Sequence, residues 1–312
     1  MPYDEKGVCL DRFVGSWQTM KEPLRAAVLD VGCFSAHLMV VEDTLTRPLV
    51  SHKVRLRLDR ALDDANRISP DGIDHITEAV TEVLKRLRTV HVPAFIAFAT
   101  SSVRDAANSS QVVTRVAKRT GLELRLLSGE REARMSYSAC RSWFGETGNL
   151  SVLDIGGGTV ELAAGAACTP SFAWSLPMGA RTLTRSGLGL SDLRAALPDR
   201  IADALPATAL HELASGRAVG CSKVFQQLAV LTGSPASLRL DDLSGWIPRL
   251  ADMTPRQRAR LPGISRHRAR QSLAGAVTAE ALMHVTGHET IEISPWSTKE
   301  GLLLALLREQ KI

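Results

Sequence analysis

VLDIGGGTVEL, Val152 to Leu162, is the stretch that decides the fold. An apolar run ends in Asp154, passes through Gly156, Gly157, Gly158 and Thr159, and resumes around Glu161. Glycine permits positive φ and lets another group approach the backbone closely, at a cost in folding entropy. Three in a row between two carboxylates mark a turn that makes room for something.

The same pattern occurs earlier. AVLDVGCFSAHLMV (Ala27 to Val40) aligns without a gap on SVLDIGGGTVELAA (Ser151 to Ala164), so Asp154 answers to Asp30, Gly156 to Gly32 and Thr159 to Ser35, each 124 residues on. Both copies predict a β-hairpin whose turn exposes backbone amides beside one carboxylate. Consecutive amides in a turn form an anion-binding nest. A carboxylate beside a bound phosphate requires a cation between them, and Mg²⁺ is held in this way by one or two carboxylates, waters and phosphate oxygens. Two such hairpins suit a phosphate chain. No GKS or GKT follows the glycines, so this is not a Walker loop.

The bulk composition narrows the class. The 312 residues are 45% hydrophobic and 23% charged, enough for two globular domains. No apolar run approaches the ~20 residues of a membrane span, and MPYDEKGVCLDRF lacks the apolar core of a signal peptide. Cys9, Cys33, Cys140, Cys168 and Cys221 are odd in number with no CxxC pair, which predicts free thiols in a reducing cytoplasm rather than a disulfide framework or a zinc site. In HVTGH, His284 and His288 have i,i+4 spacing, but Gly287 breaks the helix that a metal pair needs. A net charge of +5 favours anionic partners. No aromatic residue interleaves the basic runs RQRAR (Arg256 to Arg260) and SRHRARQ (Ser265 to Gln271), which disfavours single-stranded nucleic acid.

Periodicity predicts two α/β halves. Strands are expected at 25–31, 36–41, 49–58, 94–99 and 122–127, then at 151–155, 160–164, 171–176 and 290–293. Helices are expected at 72–90, from a cap at Ser109 or Ser110 to Gly121, at 265–285 and at 298–307.

Two further motifs carry candidate chemistry. In FATSSVRDAANS (Phe98 to Ser109), Ser101, Ser102 and Arg104 have the groups for a charge-assisted phosphate contact; alternatively Arg104 pairs with Asp105. In LSGEREARMSY (Leu127 to Tyr137), Ser128 is a candidate cap and Glu132 a first-turn acid. Such an acid either complements the helix macrodipole or, facing a bound phosphate, deprotonates a water.

Assembled in order, VLDVGCFSAHL, FATSSVRDAANS, LLSGEREARMSY, VLDIGGGTVEL, SLPMGARTLT, AVGCSKVFQQLAVLTG, LPGISRHRARQSLAGAVTAEALM and ISPWSTKEGLL resemble the exopolyphosphatase and guanosine-pentaphosphate phosphohydrolase family, in the style of the short two-domain enzymes of actinobacteria. The resemblance runs from about Leu24 to Leu307. It implies two actin-like, ribonuclease H-like α/β domains of the sugar kinase and actin superfamily, with an interdomain cleft. The expected division is an N-terminal extension at 1–23 with the functional start near Met20, domain I at 24–127, and domain II at 128–312, with the C-terminal helix 298–312 packing back on domain I. It also implies a cytoplasmic hydrolase of phosphoric anhydrides, releasing terminal orthophosphate from inorganic polyphosphate with Mg²⁺. Nucleic acid and membrane are not expected partners, and a homodimer is among the compatible assemblies. Guanosine pentaphosphate is the alternative substrate; a weakly active polyphosphate- or nucleotide-binding regulator is the other reading.

The residues carried over are Glu132 as base, Asp30, Asp154 and Glu161 at the metal and reactive phosphate, and Gly32, Ser35, Ser102, Arg104, Gly156, Gly157, Gly158, Thr159 and Arg268 at the phosphates. Arg266 and Arg270 are expected beside Arg268 on the path of a long polyanion. Three departures stand out. Cys33-Phe34-Ser35 replaces a Thr/Ser-Asn-Ser loop, so Phe34→Asn is expected to raise activity. Lys223, where glycine is common, is expected to crowd an adenosine-type pocket. Thr298-Lys299-Glu300-Gly301 keeps a positive charge but lacks the guanidinium fork of the usual arginine.

Overall fold

The computed structural model describes residues 23–145 and 148–310. They divide between two units, 23–128 with 299–310, and Gly129–Thr298. The expected start near Met20 lies outside the described residues.

The first unit runs β1 (Arg25–Val31), β2 (Ser35–Glu42), β3 (Val50–Arg55), α1 (Leu58–Ala61), α2 (Pro70–Leu87), β4 (Ala94–Ala99), α3 (Ser101–Arg104), α4 (Ser109–Thr120) and β5 (Arg125–Leu126). Its sheet has the order β3-β2-β1-β4-β5. The first three strands are antiparallel, while β4 lies parallel to β1 and β5 parallel to β4. Each parallel step needs a crossover; α2 and α4 supply them. Ser69 caps α2 by accepting from Gly72 N at 3.1 Å, and Ile73, Ile76, Val80 and Val83 form its buried stripe. Gly121, at φ 72°, ends α4 in the left-handed conformation that glycine adopts freely.

The second unit runs α5 (Gly129–Phe144), β6 (Leu150–Ile155), β7 (Val160–Gly165), β8 (Phe172–Leu176), α6 (Ala180–Ser186), α7 (Leu190–Asp203), α8 (Ala207–Ala214), β9 (Arg217–Gly220), α9 (Lys223–Leu231), β10 (Ser237–Arg239), α10 (Leu240–Asp252), α11 (Pro255–Arg258), α12 (Ser272–Thr286) and β11 (Thr290–Ile293). Its sheet order is β10-β11-β9-β6-β7-β8: again a three-strand antiparallel meander, followed by β9 and β11 in parallel, with β10 antiparallel to β11 at the edge. Alternation along β6 decides what packs where. Leu150 and Val152 face Ala133, Tyr137 and Cys140 of α5, whereas Leu153 and Ile155 join the larger core with α7, α9, α10 and α12. Both units thus have the actin-like, ribonuclease H-like plan. The last helix, α13 (Thr298–Glu309), belongs to the first unit from Lys299 onward, and Gln310 Nε2 donates to Arg25 O at 3.1 Å.

Several local expectations need correction. Strand β3 stops at Arg55, because Leu56 and Leu58 turn inward and donate to the carbonyls of Phe34 and Cys33. Only two residues of 122–127 pair as β5. The helix expected from Ser265 starts at Ser272; 265–271 forms tight turns, with Arg268 N bonded to Ser265 O and Gln271 N to Arg268 O, both at 2.9 Å. Asn108, rather than a serine, stands at the α4 cap, with its amide pinned to the Ile68 backbone. Cys33, Cys140 and Cys221 are free thiols, but Cys168 is disulfide-bonded.

Candidate active site

The glycine loop is built by its neighbours. Gly156 N donates to Thr159 O at 2.9 Å and closes the β6–β7 hairpin; Gly32 N and Ser35 O repeat this in the first unit at 3.0 Å. After β8 the chain enters α6 directly against the loop. There Ala180 N donates to Gly156 O (3.0 Å), Arg181 N to Gly157 O (2.8 Å) and Gly179 N to Gly158 O (3.1 Å). A trans peptide holds its N–H opposite its C=O, and none of the described peptides is cis. With three carbonyls turned toward the start of α6, the amides of Gly157, Gly158 and Thr159 turn the other way as a nest. Gly179 makes this approach possible: a Cβ there would lie 2.5 Å from Gly158 C and Thr159 N. In the first unit Leu58 N takes the Cys33 carbonyl and Leu56 N that of Phe34, both at 2.9 Å, so the Phe34 and Ser35 amides are turned by the same device. The Phe34 side chain itself is buried.

Beside the second loop stand two carboxylates. Asp154 and Glu161 are register partners across β6–β7 and therefore share one face of the sheet. Ser136 Oγ donates to Asp154 Oδ2 at 2.9 Å, and Ser175 Oγ to Glu161 Oε1 at 2.9 Å. Cys221 Sγ approaches Asp154 Oδ2 at 3.4 Å; burial, the neighbouring Cys140 thiol and Asp154 push the Cys221 thiol well up, so it stays a donor.

Helix α5 brings a third acid. Glu132 is 6% exposed, in the first turn, one helical turn before Ser136, which bonds Asp154. Residues four apart share a helix face, so Glu132 lies on the face directed at the hairpin. The helix begins tightly: a Cβ on Gly129 would lie 2.2 Å from Ser175 Oγ and 3.7 Å from Glu161 Oε1. Burial distinguishes Glu132 from an ordinary solvated first-turn acid.

Gly156 and Gly157 also line a small open cleft, with Val224, Leu228, Ile264 and Arg268 on its other walls. Arg268 thus lines the same cleft as the loop, whereas Arg266 and Arg270 are exposed and do not line it. Lys223 does not line it either; its ammonium bonds Gln226 on α9.

In the first unit, Asp30 is the register partner of His37. Ser102 is buried in α3. The Arg104 guanidinium binds both carboxylate oxygens of Asp105, at 2.7 and 3.0 Å, and the Leu127 carbonyl at 2.9 Å. Lys299 pairs with the buried Glu300. His288 Nε2 contacts Leu213 O at 2.8 Å, while Gly287 at φ 71° ends α12.

Among the described residues no group of three or more His, Cys, Asp or Glu side chains is placed to hold a metal. Mg²⁺ does not need one, since it keeps waters and takes one or two carboxylates plus substrate phosphates. Hard oxygens on two facing strands beside an amide nest fit that requirement.

Sequence reasoning missed Ser136, Ser175 and Gly179. For Ser175 the signal was present. The offset of 124 residues continues to Ser51, which bonds His37 at 3.0 Å, and His37 itself precedes Glu161 by 124. Ser136 and Gly179 are small residues whose roles emerge only from packing.

A two-unit α/β protein with duplicated anion-turn hairpins, one beside buried acids, is the class these features define. The chain belongs to the Ppx/GppA phosphatase family, whose profile matches residues 38–310. It is 39% identical over 306 residues to Exopolyphosphatase 1 of Mycobacterium tuberculosis, covering 91% of this chain and 88% of that protein. The Mycobacterium leprae Exopolyphosphatase 1 is 38% identical over 305 residues, covering 91% and 90%. Among solved structures, an exopolyphosphatase from Cytophaga hutchinsonii superposes with a TM-score of 0.80 at 22% identity, over 91% of this chain and 98% of that one. The Aquifex aeolicus Ppx/GppA family member gives 0.78 at 20% identity, over 93% and 100%. These two establish a shared fold. No helix among the described residues is long and apolar enough to cross a membrane.

Proposed function

We propose that this chain is a cytoplasmic exopolyphosphatase that releases terminal orthophosphate from inorganic polyphosphate. The observation that carries the reading is the nest of Gly157, Gly158 and Thr159 amides beside Asp154, Glu161 and the buried Glu132. The identity to proteins named exopolyphosphatase supports the choice of substrate.

In the proposed reaction, a water oxygen attacks the terminal phosphorus while Glu132 takes its proton. The bond from that phosphorus to the bridging oxygen breaks, and the electron pair leaves with the shortened chain. The loop amides hold the phosphoryl oxygens where charge grows. Asp154 and Glu161 are the residues that would hold Mg²⁺, which when bound would neutralise phosphate charge. Within the first unit, Asp30 is assigned a metal contact and Gly32, Ser35, Ser102 and Arg104 phosphate contacts, with the Arg104 guanidinium held by Asp105. Arg268 contacts the chain near the loop, and Arg266 and Arg270 serve phosphates further along.

The test is phosphate release from long polyphosphate, tripolyphosphate and guanosine pentaphosphate, each with and without Mg²⁺. Metal-dependent release from polyphosphate is expected. Release from guanosine pentaphosphate alone would reassign the substrate, and tight polyphosphate binding without turnover would make the chain a regulator.

A further inference from the structure

Two carboxyl groups placed opposite each other on neighbouring strands crowd the same space, and each can rotate away unless a donor holds it. Asp154 and Glu161 are in this position. Each is met by one serine from outside the hairpin. Ser136, fully buried on α5, donates to Asp154 Oδ2 at 2.9 Å and shares a second hydrogen bond of 2.9 Å with Thr298 Oγ1. Ser175 on β8 donates to Glu161 Oε1 at 2.9 Å.

The packing leaves the second serine little freedom. Gly129 closes over Ser175 so tightly that a Cβ there would lie 2.2 Å from its Oγ. On the far side of the same carboxylate, Glu161 Oε2 is 3.6 Å from where a Cβ of Gly156 would stand. One Glu161 oxygen is tied to a serine, and the other faces the glycine loop. A hydrogen bond to a charged acceptor is among the stronger ones in a protein interior, so this arrangement sets carboxylate direction as well as stability.

We propose that Ser136 and Ser175 are positioning residues of the hydrolytic site, each aiming one carboxylate of the Asp154–Glu161 pair toward the loop. Neither touches the reacting phosphate; each acts through its carboxylate. The inference rests on the function proposed above.

Ser136→Ala and Ser175→Ala in the full chain test it, with three readouts. Melting temperature without metal reports folding, the rise in melting temperature during Mg²⁺ titration without substrate reports the carboxylates, and kinetics on tripolyphosphate report catalysis. Each variant is expected to fold but to melt several degrees below wild type without metal, as the loss of a charge-assisted hydrogen bond requires. Each should need several-fold more Mg²⁺ for the half-maximal rise, and should lose roughly tenfold in kcat with KM changed less than about twofold. Ser→Cys variants, which keep a weak donor, should fall between alanine and serine. If an alanine variant does not fold, Ser136→Cys is compared in wild-type and Asp154→Ala backgrounds, and Ser175→Cys in wild-type and Glu161→Ala backgrounds; its effect on the Mg²⁺ response must vanish where the carboxylate is gone. A normal Mg²⁺ response and normal kcat in folded variants, or an undiminished effect without the carboxylate, overturns the proposal. A wild-type chain that releases no phosphate from any of the three anhydrides overturns the proposed function instead, and the metal-linked melting still decides the serines.

Discussion

Asp154 and Glu161 are register partners in the β6–β7 hairpin, adjacent to the last paired residues before its glycine turn. Groups that act as one unit give non-additive losses. Asp154→Asn and Glu161→Gln should each lower kcat on polyphosphate substantially, and the double variant should be little worse than the poorer single. Additive losses in steady-state kinetics would mean that the two carboxylates do separate jobs.

Glu132→Gln keeps size and hydrogen bonding but cannot take a proton from water. Turnover should fall by roughly 10² to 10⁴ while polyphosphate binding holds. A residue that only complemented the helix macrodipole would cost ~0.3–1 kcal/mol of stability and leave turnover nearly normal. A side-by-side measurement of kcat and melting temperature separates the two, and near-normal turnover moves the role of base to another acid.

Gly179→Ala should be severely destabilising, because its Cβ would lie 2.5 Å from the backbone of Gly158 and Thr159 and neither can retreat without moving the loop. Overpacking of a tight contact costs typically ~1–3 kcal/mol. Gly32→Ala, whose nearest neighbour to the added Cβ is 3.7 Å away, should fold almost as wild type. Denaturant midpoints for the pair provide the comparison.

Phe34→Asn tests a reading that the sequence alone favoured. The amide of residue 34 is turned by the Cys33 carbonyl's bond to Leu58 whatever the side chain is, and the Phe34 ring is 5% exposed. Replacing a buried ring with a small polar group should cost on the order of 3–5 kcal/mol by analogy with large-to-small core changes. Lower stability with no gain in kcat is the expected result; a faster, equally stable variant would show that the asparagine donor matters more than packing.

Arg194 and Glu280 provide a pH test away from the site. Arg194 Nε donates to Glu280 Oε2 at 2.7 Å and Ser244 Oγ to Oε1 at 2.7 Å, with His284 as a further positive influence. Burial alone would raise this carboxyl, but the Arg194 and Ser244 bonds outweigh it and hold Glu280 below the usual carboxylate range. A depressed folded-state value means that the stability is present above the unfolded value and is lost as pH falls through the folded one. Arg194→Met removes the cause and leaves Glu280 without its guanidinium, at a cost of roughly 1–3 kcal/mol, below that of a fully buried pair because the Arg194 side chain is partly exposed. The gap between variant and wild type, followed by denaturant titration, should be widest near pH 7 and narrow in acid as Glu280 is protonated. A gap that widens in acid would contradict this account.

How much was legible follows from what each residue's signal depends on. Local periodicity placed β1, β4, β11 and the stripe of α2, because each repeats within a few residues. The duplicated hairpin was visible because both copies preserve an aspartate, a glycine and a hydroxyl at one offset. Expectations failed where a tertiary contact decides. Leu56 and Leu58 read as a continuing strand until the carbonyls of Phe34 and Cys33 claim their amides. Arg268 read as helical, yet it stands in a turn that lines the same cleft as the glycine loop. A serine in a helix and a glycine before another carry no pattern of their own, so Ser136 and Gly179 needed coordinates.

Gly129 opens the second unit and Thr298 closes it, and between them the chain is an insertion into the first unit, entering after Ser128 and leaving before Lys299. Gly129 abuts Ser175, and Thr298 bonds Ser136. Both seams of the insertion therefore lie one side chain from the carboxylate pair. Seams are where inserted domains ordinarily tolerate spacers, tags and circular permutation. In this protein a residue added at either seam meets the chemistry before it meets the core, and new chain ends belong instead in the exposed turn at Gly187–Gly189, between α6 and α7.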